Sequence, residues 1–367
     1  MAIFDMDSHL REHYVMDEAF AVGGEFAKYR PVRLNNETGF KAKFEHGFQP
    51  WSSRAVKSFD HDVVYDPDAN WRGGEIARRQ RAGTDMAFRV AANDAEGIDV
   101  QFMFPTMIFI PCLTEGPLGA AVASAYNDWV YKLAKGYEEK LKPVAVLPWA
   151  HPESMVAELE RCVKQLGFQA AHVMPYVATQ NVQRTIDDEA YYPFYEAAQR
   201  LNVPLMLHPN SQGELINMYD NFYAMHVLGR PFNCTAGLIA LTIGGIFEKY
   251  PELRVAFFEC SAEWVLYWMH RMDDDYRNMR DGFAPKITKI PSAYVKKNVY
   301  VTCEADEHDL KYAIENFSED RILMASDYPH FDSEYPGTVK ELRARNDLTP
   351  VQKEKILTHN AKEFLRC

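Results

Sequence analysis

The chain has 367 residues, 47% of them hydrophobic and 25% charged, which is ample material for a globular core. A net charge of -12 argues against a nucleic-acid or anionic-membrane surface, and no apolar run is long enough to span a bilayer. The six cysteines are scattered without a CxxC, the pattern of reduced thiols.

The first predicted strand, "AIFDMD" (2–7), begins so early that no cationic leader precedes it, and a cytoplasmic location is the expectation. It opens the densest polar stretch of the chain, "FDMDSHLREH" (4–13). Asp5, Asp7 and His9 share one face by the two-residue period of a strand, with Glu12 and His13 just beyond. Residues 23–93 are too many for one connection. They hold "HGFQPWSSR" and the basic "RGGEIARRQRAG", and are expected to form an insertion that caps the site or makes an oligomer contact. Trp51 and Arg54 within it are candidate substrate contacts.

Seven further apolar runs follow: "DVQFMFP" (99–105), "KPVAVLPW" (142–149), "FQAAHVMP" (168–175), "VPLMLHP" (203–209), "LRVAFFE" (253–259), "VYVTCE" (299–304) and "RILMASD" (321–327). Such runs suit strands buried on both faces of a parallel sheet. Helices are predicted between them, over 120–141, 151–168, 187–201 and 237–251, with a last one over 349–365. In 151–168, Pro152 suits the first turn, Met155, Leu159, Cys162 and Leu166 lie on one stripe, and Gly167 suits the end. Eight strands alternating with helices predict an α/β fold, a (β/α)8 barrel forming one domain over 1–367. A doubly wound open sheet is the alternative, but no GxGxxG follows the first strand.

Catalytic groups of a barrel stand at the C-terminal ends of its strands. Here those ends carry Asp7 and His9, His172, His208, Glu259, Glu304 and Asp327, with His330 three residues further on. Burying so many carboxylates and imidazoles together is costly without a cation. His9, His208 and Asp327 are the first candidate ligands, followed by Asp7, Glu12 and His172. Glu259, Glu304, His330 and Asp5 are candidates for orienting ligands or touching substrate, and His226 and Arg230 for reaching the mouth.

These residues resemble the amidohydrolase superfamily, in the amidohydrolase-related branch that includes aminocarboxymuconate semialdehyde decarboxylase-like enzymes. The resemblance extends through "NDAEGIDVQFMFPT" (93–106), "AYNDWVYKLA" (125–134), "GGIFEKYPELRVAFFE" (244–259), "MASDYPHFDSEYP" (324–336) and "ILTHNAKEFL" (356–365). It implies Asp7, His9, His208 and Asp327 as metal ligands. The chain departs from the pattern in three places. The usual His-x-His reads Asp7-Ser8-His9, the sixth-strand histidine is Glu259, and no fourth-strand lysine is present, His172 being the nearest equivalent.

A mixed set of histidines and carboxylates suits iron or manganese better than zinc, and carboxylates can bridge two metals. The Asp-x-Asp-x-His-x-x-Glu opening resembles dinuclear non-haem oxygenases of the 2-aminoisobutyrate hydroxylase kind. The leading expectation is therefore a dinuclear Fe or Mn/Fe oxygenase that uses O2 to hydroxylate a small carboxylic or amino acid. Asp7, His9, Glu12, His172, His208 and Asp327 would hold its metals. The alternative is a divalent-metal hydrolase or non-oxidative decarboxylase of a small carboxylic acid, with zinc among its possible metals. There Asp327 is the general base, and His208 or His330 the acid partner. A pseudoenzyme subunit is a third reading, and a homodimer or a hetero-oligomer with a sister barrel is expected.

Overall fold

The structure is a computed structural model that describes residues 2–12, 15–30, 32–33, 42–43, 82–210, 219, 222–283, 286–330, 332–333 and 335–367. Most of the expected insertion, with Trp51 and Arg54, lies outside the described residues, as does His13.

Among the described residues, eight parallel strands close a barrel. They are β1 (Phe4–Leu10), β2 (Val100–Pro105), β3 (Leu141–Pro143), β4 (Ala171–Val173), β5 (Leu205–Leu207), β6 (Val255–Phe257), β7 (Val299–Cys303) and β8 (Ile322–Met324). The first three pair as one parallel sheet and the other five as a second. Parallel bridges from Ala145 to Ala171 and from Ser8 to Tyr328 join the two. Each strand overlaps one of the eight predicted runs, though β1 continues three residues past its run to Leu10 and β3 begins one residue before its run at Leu141. The strands are apolar because their residues are buried on both faces, as in β5, β6 and β8.

Helices follow the strands: α1 (Met86–Glu96), α2 (Gly116–Leu133), α3 (Met155–Lys164), α4 (Tyr192–Arg200), α5 (Phe222–Thr242), α6 (Trp264–Phe283) and α7 (Leu310–Asn316). Asp85 caps α1 by accepting from Phe88 N at 3.0 Å, and Gly97 ends it with φ 79°. α5 begins well before the predicted residue 237 and runs through Pro231. It presses closely on β5: a Cβ on Gly237 would stand 2.4 Å from Leu207 Cδ1. That close approach carries His226 and Arg230 toward the strand ends. Among the described residues, no helix is long and apolar enough to cross a membrane.

β1 and β2 lose register between Asp5 and Ser8, where β1 carries one residue more than its partner. Two backbone bonds then stitch β1 to the segment after β8. Asp327 N donates to Asp7 O at 3.0 Å, and His9 N donates to Tyr328 O at 2.7 Å. Asp5 locks this seam from below. Its Oδ1 accepts from Ser326 N at 2.9 Å and its Oδ2 from Ser326 Oγ at 2.6 Å and Gln101 Nε2 at 2.7 Å. Arg89 of α1 is fully buried beside them and donates to Gln101 Oε1, Ser8 Oγ, Ala82 O and His9 O. A buried guanidinium and carboxylate with all these partners fix one geometry for the strand ends.

Candidate metal centre

The seam brings Asp7, His9 and Asp327 together, and β5 adds His208 from the adjoining side. His9 Nε2 lies 3.1 Å from His208 Nε2, 3.5 Å from Asp7 Oδ1, 3.3 Å from Asp327 Oδ1 and 3.6 Å from Glu259 Oε1. His208 Nε2 stands 3.3 Å from Glu259 Oε1 and 3.8 Å from Asp7 Oδ2. His208 Nδ1 donates to Pro209 O at 2.9 Å, which turns the Nε2 lone pair toward the group. The candidate ligand atoms of Asp7, His9, His208 and Glu259 all lie within 4.8 Å of one another, and so do those of His9, Glu259, Asp327 and His330. Asp327 and Glu259 hold left-handed backbone, with φ 53° and 54°, a sparsely populated conformation for such residues.

The electrostatics call for a cation. Both Asp7 oxygens, Asp327 Oδ1 and Glu259 Oε1 are buried without a hydrogen-bond partner. Burial, with repulsion from Glu259, pushes the Asp7 and Asp327 carboxyls well above the usual range. Burial pushes the His9 imidazole down to about 4, so it is neutral at pH 7 with a lone pair to give. Burial would lower His208 as well, but Glu259 and Asp7 outweigh it and hold that imidazole above its ordinary value. Ligands at right to tetrahedral angles on a cation with bonds of about 2.1–2.2 Å lie roughly 3.0–3.6 Å apart, as most of these atoms do. The residues present fit a divalent metal.

His330 stacks on His9, with ring centroids 4.0 Å apart. Its Nδ1 is 2.8 Å from Asp327 Oδ1 and its Nε2 3.2 Å from Thr106 Oγ1. Glu259 is tied through Oε2 to Arg230 Nε at 2.8 Å. His226 pairs with Asp332 at 3.1 Å.

Two candidate ligands stand apart from this group. Glu12 is fully buried, but its two oxygens accept from the Thr106 and Met107 backbone N–H groups. β1 ends at Leu10 and the turn that follows swings Glu12 toward the end of β2. His172 points its Nδ1 at Cys112 Sγ, 3.5 Å away, and lies edge-on to Phe104. Glu304 is exposed at the end of β7, and Asp5 sits beneath the seam. None of these four belongs to either group among the described residues. Sequence reasoning missed Arg89, Gln101 and Thr106. Met86, Arg89 and Asn93 are the buried residues of α1, and polar residues at that helical spacing were the available signal.

Comparison with known proteins agrees with this fold. A family model described as "Amidohydrolase" matches residues 46–367. A gamma-resorcylate decarboxylase of Polaromonas sp. is 29% identical over 273 residues, covering 72% of this chain and 81% of that protein. A 2-amino-3-carboxymuconate-6-semialdehyde decarboxylase of Dictyostelium discoideum is 22% identical over 285 residues, covering 77% of this chain and 76% of that protein. The crystal structure of a dihydroxybenzoic acid decarboxylase from Polaromonas sp., with bound manganese and the inhibitor 2-nitroresorcinol, superposes with a TM-score of 0.74. It is 21% identical and covers 100% of this chain and 97% of that one. These decarboxylase relatives overturn the expected oxygenase. Of the four residues in the opening that pointed to it, Asp5 and Glu12 are committed to hydrogen bonds outside the cluster.

Proposed function

The chain belongs to the amidohydrolase family, and from that premise we propose that it is a divalent-metal-dependent decarboxylase of a small hydroxylated aromatic or related unsaturated carboxylic acid. The relatives' substrates supply the class. The observation that carries the reading is that His9 Nε2 faces His208, Asp7 and Asp327 at 3.1, 3.5 and 3.3 Å, with buried oxygens on both carboxylates that have no hydrogen-bond partner. These four are the ligands in this reading. We place one cation there, of the manganese kind, where two were expected. The two candidate groups share His9 and Glu259, and the His9 Nε2 that faces Asp7, His208, Glu259 and Asp327 has one lone pair to give.

When bound, the cation would supply positive charge that holds an acidic oxygen of the substrate at the strand ends. The reaction breaks the bond between a substrate carbon and its carboxylate carbon. The electron pair stays on the substrate carbon, carbon dioxide leaves, and a proton must reach that carbon. Asp327 and His330 are the proton-transfer pair, with Oδ1 and Nδ1 2.8 Å apart. Thr106 Oγ1 fixes the far nitrogen of His330, and stacking on His9 fixes the ring plane.

The test is a panel of hydroxybenzoic acids and an unsaturated dicarboxylic acid, offered to manganese-loaded protein in D2O. The reading expects carbon dioxide release with one deuterium placed on the carbon that carried the carboxylate. Metal-loaded protein that releases none from any member, or that consumes dioxygen in turnover, would overturn it.

A further inference from the structure

Among the described residues, Glu259 is the one carboxylate of the two candidate groups that neither the four assigned ligands nor the proton pair uses. Its two oxygens are treated differently by the fold. Oε2 is held by Arg230 Nε at 2.8 Å. Oε1 is buried with no hydrogen-bond partner, 3.3 Å from His208 Nε2, 3.6 Å from His9 Nε2 and 3.9 Å from His330 Nδ1. The side chain is 7% exposed.

We propose that Glu259 is a fifth protein ligand to the cation, bound through Oε1, and that Arg230 is the residue that positions it. The inference rests on the metal centre proposed above. Three observations carry it. Oε1 stands at the separation from both imidazole nitrogens that neighbouring ligands of one small divalent cation show, about 3.0–3.6 Å. Its lone pairs point into the cluster unused, a costly arrangement for a buried carboxylate oxygen unless a cation takes them. Arg230 bonds the opposite oxygen, which fixes the carboxylate's rotation in the way partners behind metal ligands do.

Charge explains why the two residues occur together. Asp7, Asp327 and Glu259 bring three negative charges to a divalent cation, one too many for an anionic acid to approach freely. Arg230, 18% exposed and in contact with Glu259, restores neutrality. Five protein atoms on a six-coordinate cation leave one position open. A substrate acid would then bind the cation through a single oxygen.

The experiment measures manganese alone, without substrate. Mn2+ affinity is followed by the electron paramagnetic resonance signal of the free ion, and inner-sphere water by proton relaxation. The parent should carry one exchangeable water. Glu259→Gln and Arg230→Met should each weaken Mn2+ about tenfold or more, and Glu259→Ala should gain a second water, seen as raised relaxivity. Glu259→Asp keeps the charge but falls short, and should also weaken binding, which covers an alanine variant that fails to fold. Glu259 variants that bind Mn2+ within about twofold of the parent, with unchanged relaxivity, would overturn the inference. That outcome leaves the decarboxylase reading intact, and an inactive parent whose Glu259 variants lose Mn2+ sinks only the decarboxylase reading.

Discussion

His9 Nε2 lies 3.1 Å from His208 Nε2, and the other nitrogen of His208 is already committed to the Pro209 carbonyl. Two imidazole lone pairs aimed at each other over that distance repel unless a proton or a cation lies between them. The carboxylates of Asp7 and Asp327 close around the same point. The centre therefore has a stability that depends on its occupant.

Asp7→Asn should act with opposite signs in the two states. Without metal it removes a buried charge that has no hydrogen-bond partner, so the melting temperature should rise. With Mn2+ present the parent should gain stability by mass action, about 2.7 kcal/mol at a hundredfold excess over Kd, and the variant should gain far less. Thermal melts with chelator and with Mn2+ read both signs. A variant stabilised by Mn2+ as much as the parent removes Asp7 from the ligand set.

Glu12→Ala should keep the full metal content while losing stability. The two backbone donors of Thr106 and Met107 would be left without their acceptor, at about 1–3 kcal/mol each. Metal per chain by elemental analysis, with urea unfolding, separates the roles. Loss of a metal equivalent would restore Glu12 as a ligand.

His330→Gln should lower kcat by about a hundredfold with little change in Mn2+ affinity. Its ring meets Asp327 at 2.8 Å as a proton partner and is not among the four assigned ligands. Steady-state kinetics beside a Mn2+ titration check this. A variant that keeps its kcat rules His330 out of the proton path.

Glu307 gives a pH dependence. Burial, partly offset by donors from Glu304 N and Ala262 N, pushes its carboxyl up from 4.5 to about 8. The folded chain holds this proton more tightly than the unfolded chain. The contribution is thus fully present below about 4.5 and is lost as pH rises through about 8. Across that window the group makes stability fall with a slope of up to about 1.4 kcal/mol per pH unit. Glu307→Gln should flatten the curve. Equal slopes in parent and variant would show that Glu307 does not titrate in this range.

The barrel was legible because its strands are buried on both faces, so each reads as an apolar run ended by a polar residue: His208 after β5, Asp327 after β8. Asp7, His9, His208 and Asp327 stand together at one mouth for the same reason, since the strand ends converge there. Glu12 stands away from the cluster because the turn after Leu10 carries it to the Thr106 and Met107 N–H groups, a direction that its spacing from His9 does not show. His172 does stand on a strand, but its ring turns toward Cys112. Arg230 was visible only as a mouth candidate, because it lies before the helix predicted from residue 237, whereas α5 starts at Phe222 and runs straight through Pro231. The reaction was the least legible layer. The same carboxylate-rich opening suits oxygen chemistry or decarboxylation until it is known which acids face the centre.

The most direct test of the account follows carbon dioxide and the substrate carbon together. Manganese-loaded protein, given a hydroxybenzoic acid in D2O, should release carbon dioxide and the monodeuterated phenol in equal amounts, and stop when the metal is chelated. Product formation that continues without metal, or product that gains oxygen instead of losing a carboxylate, would contradict it.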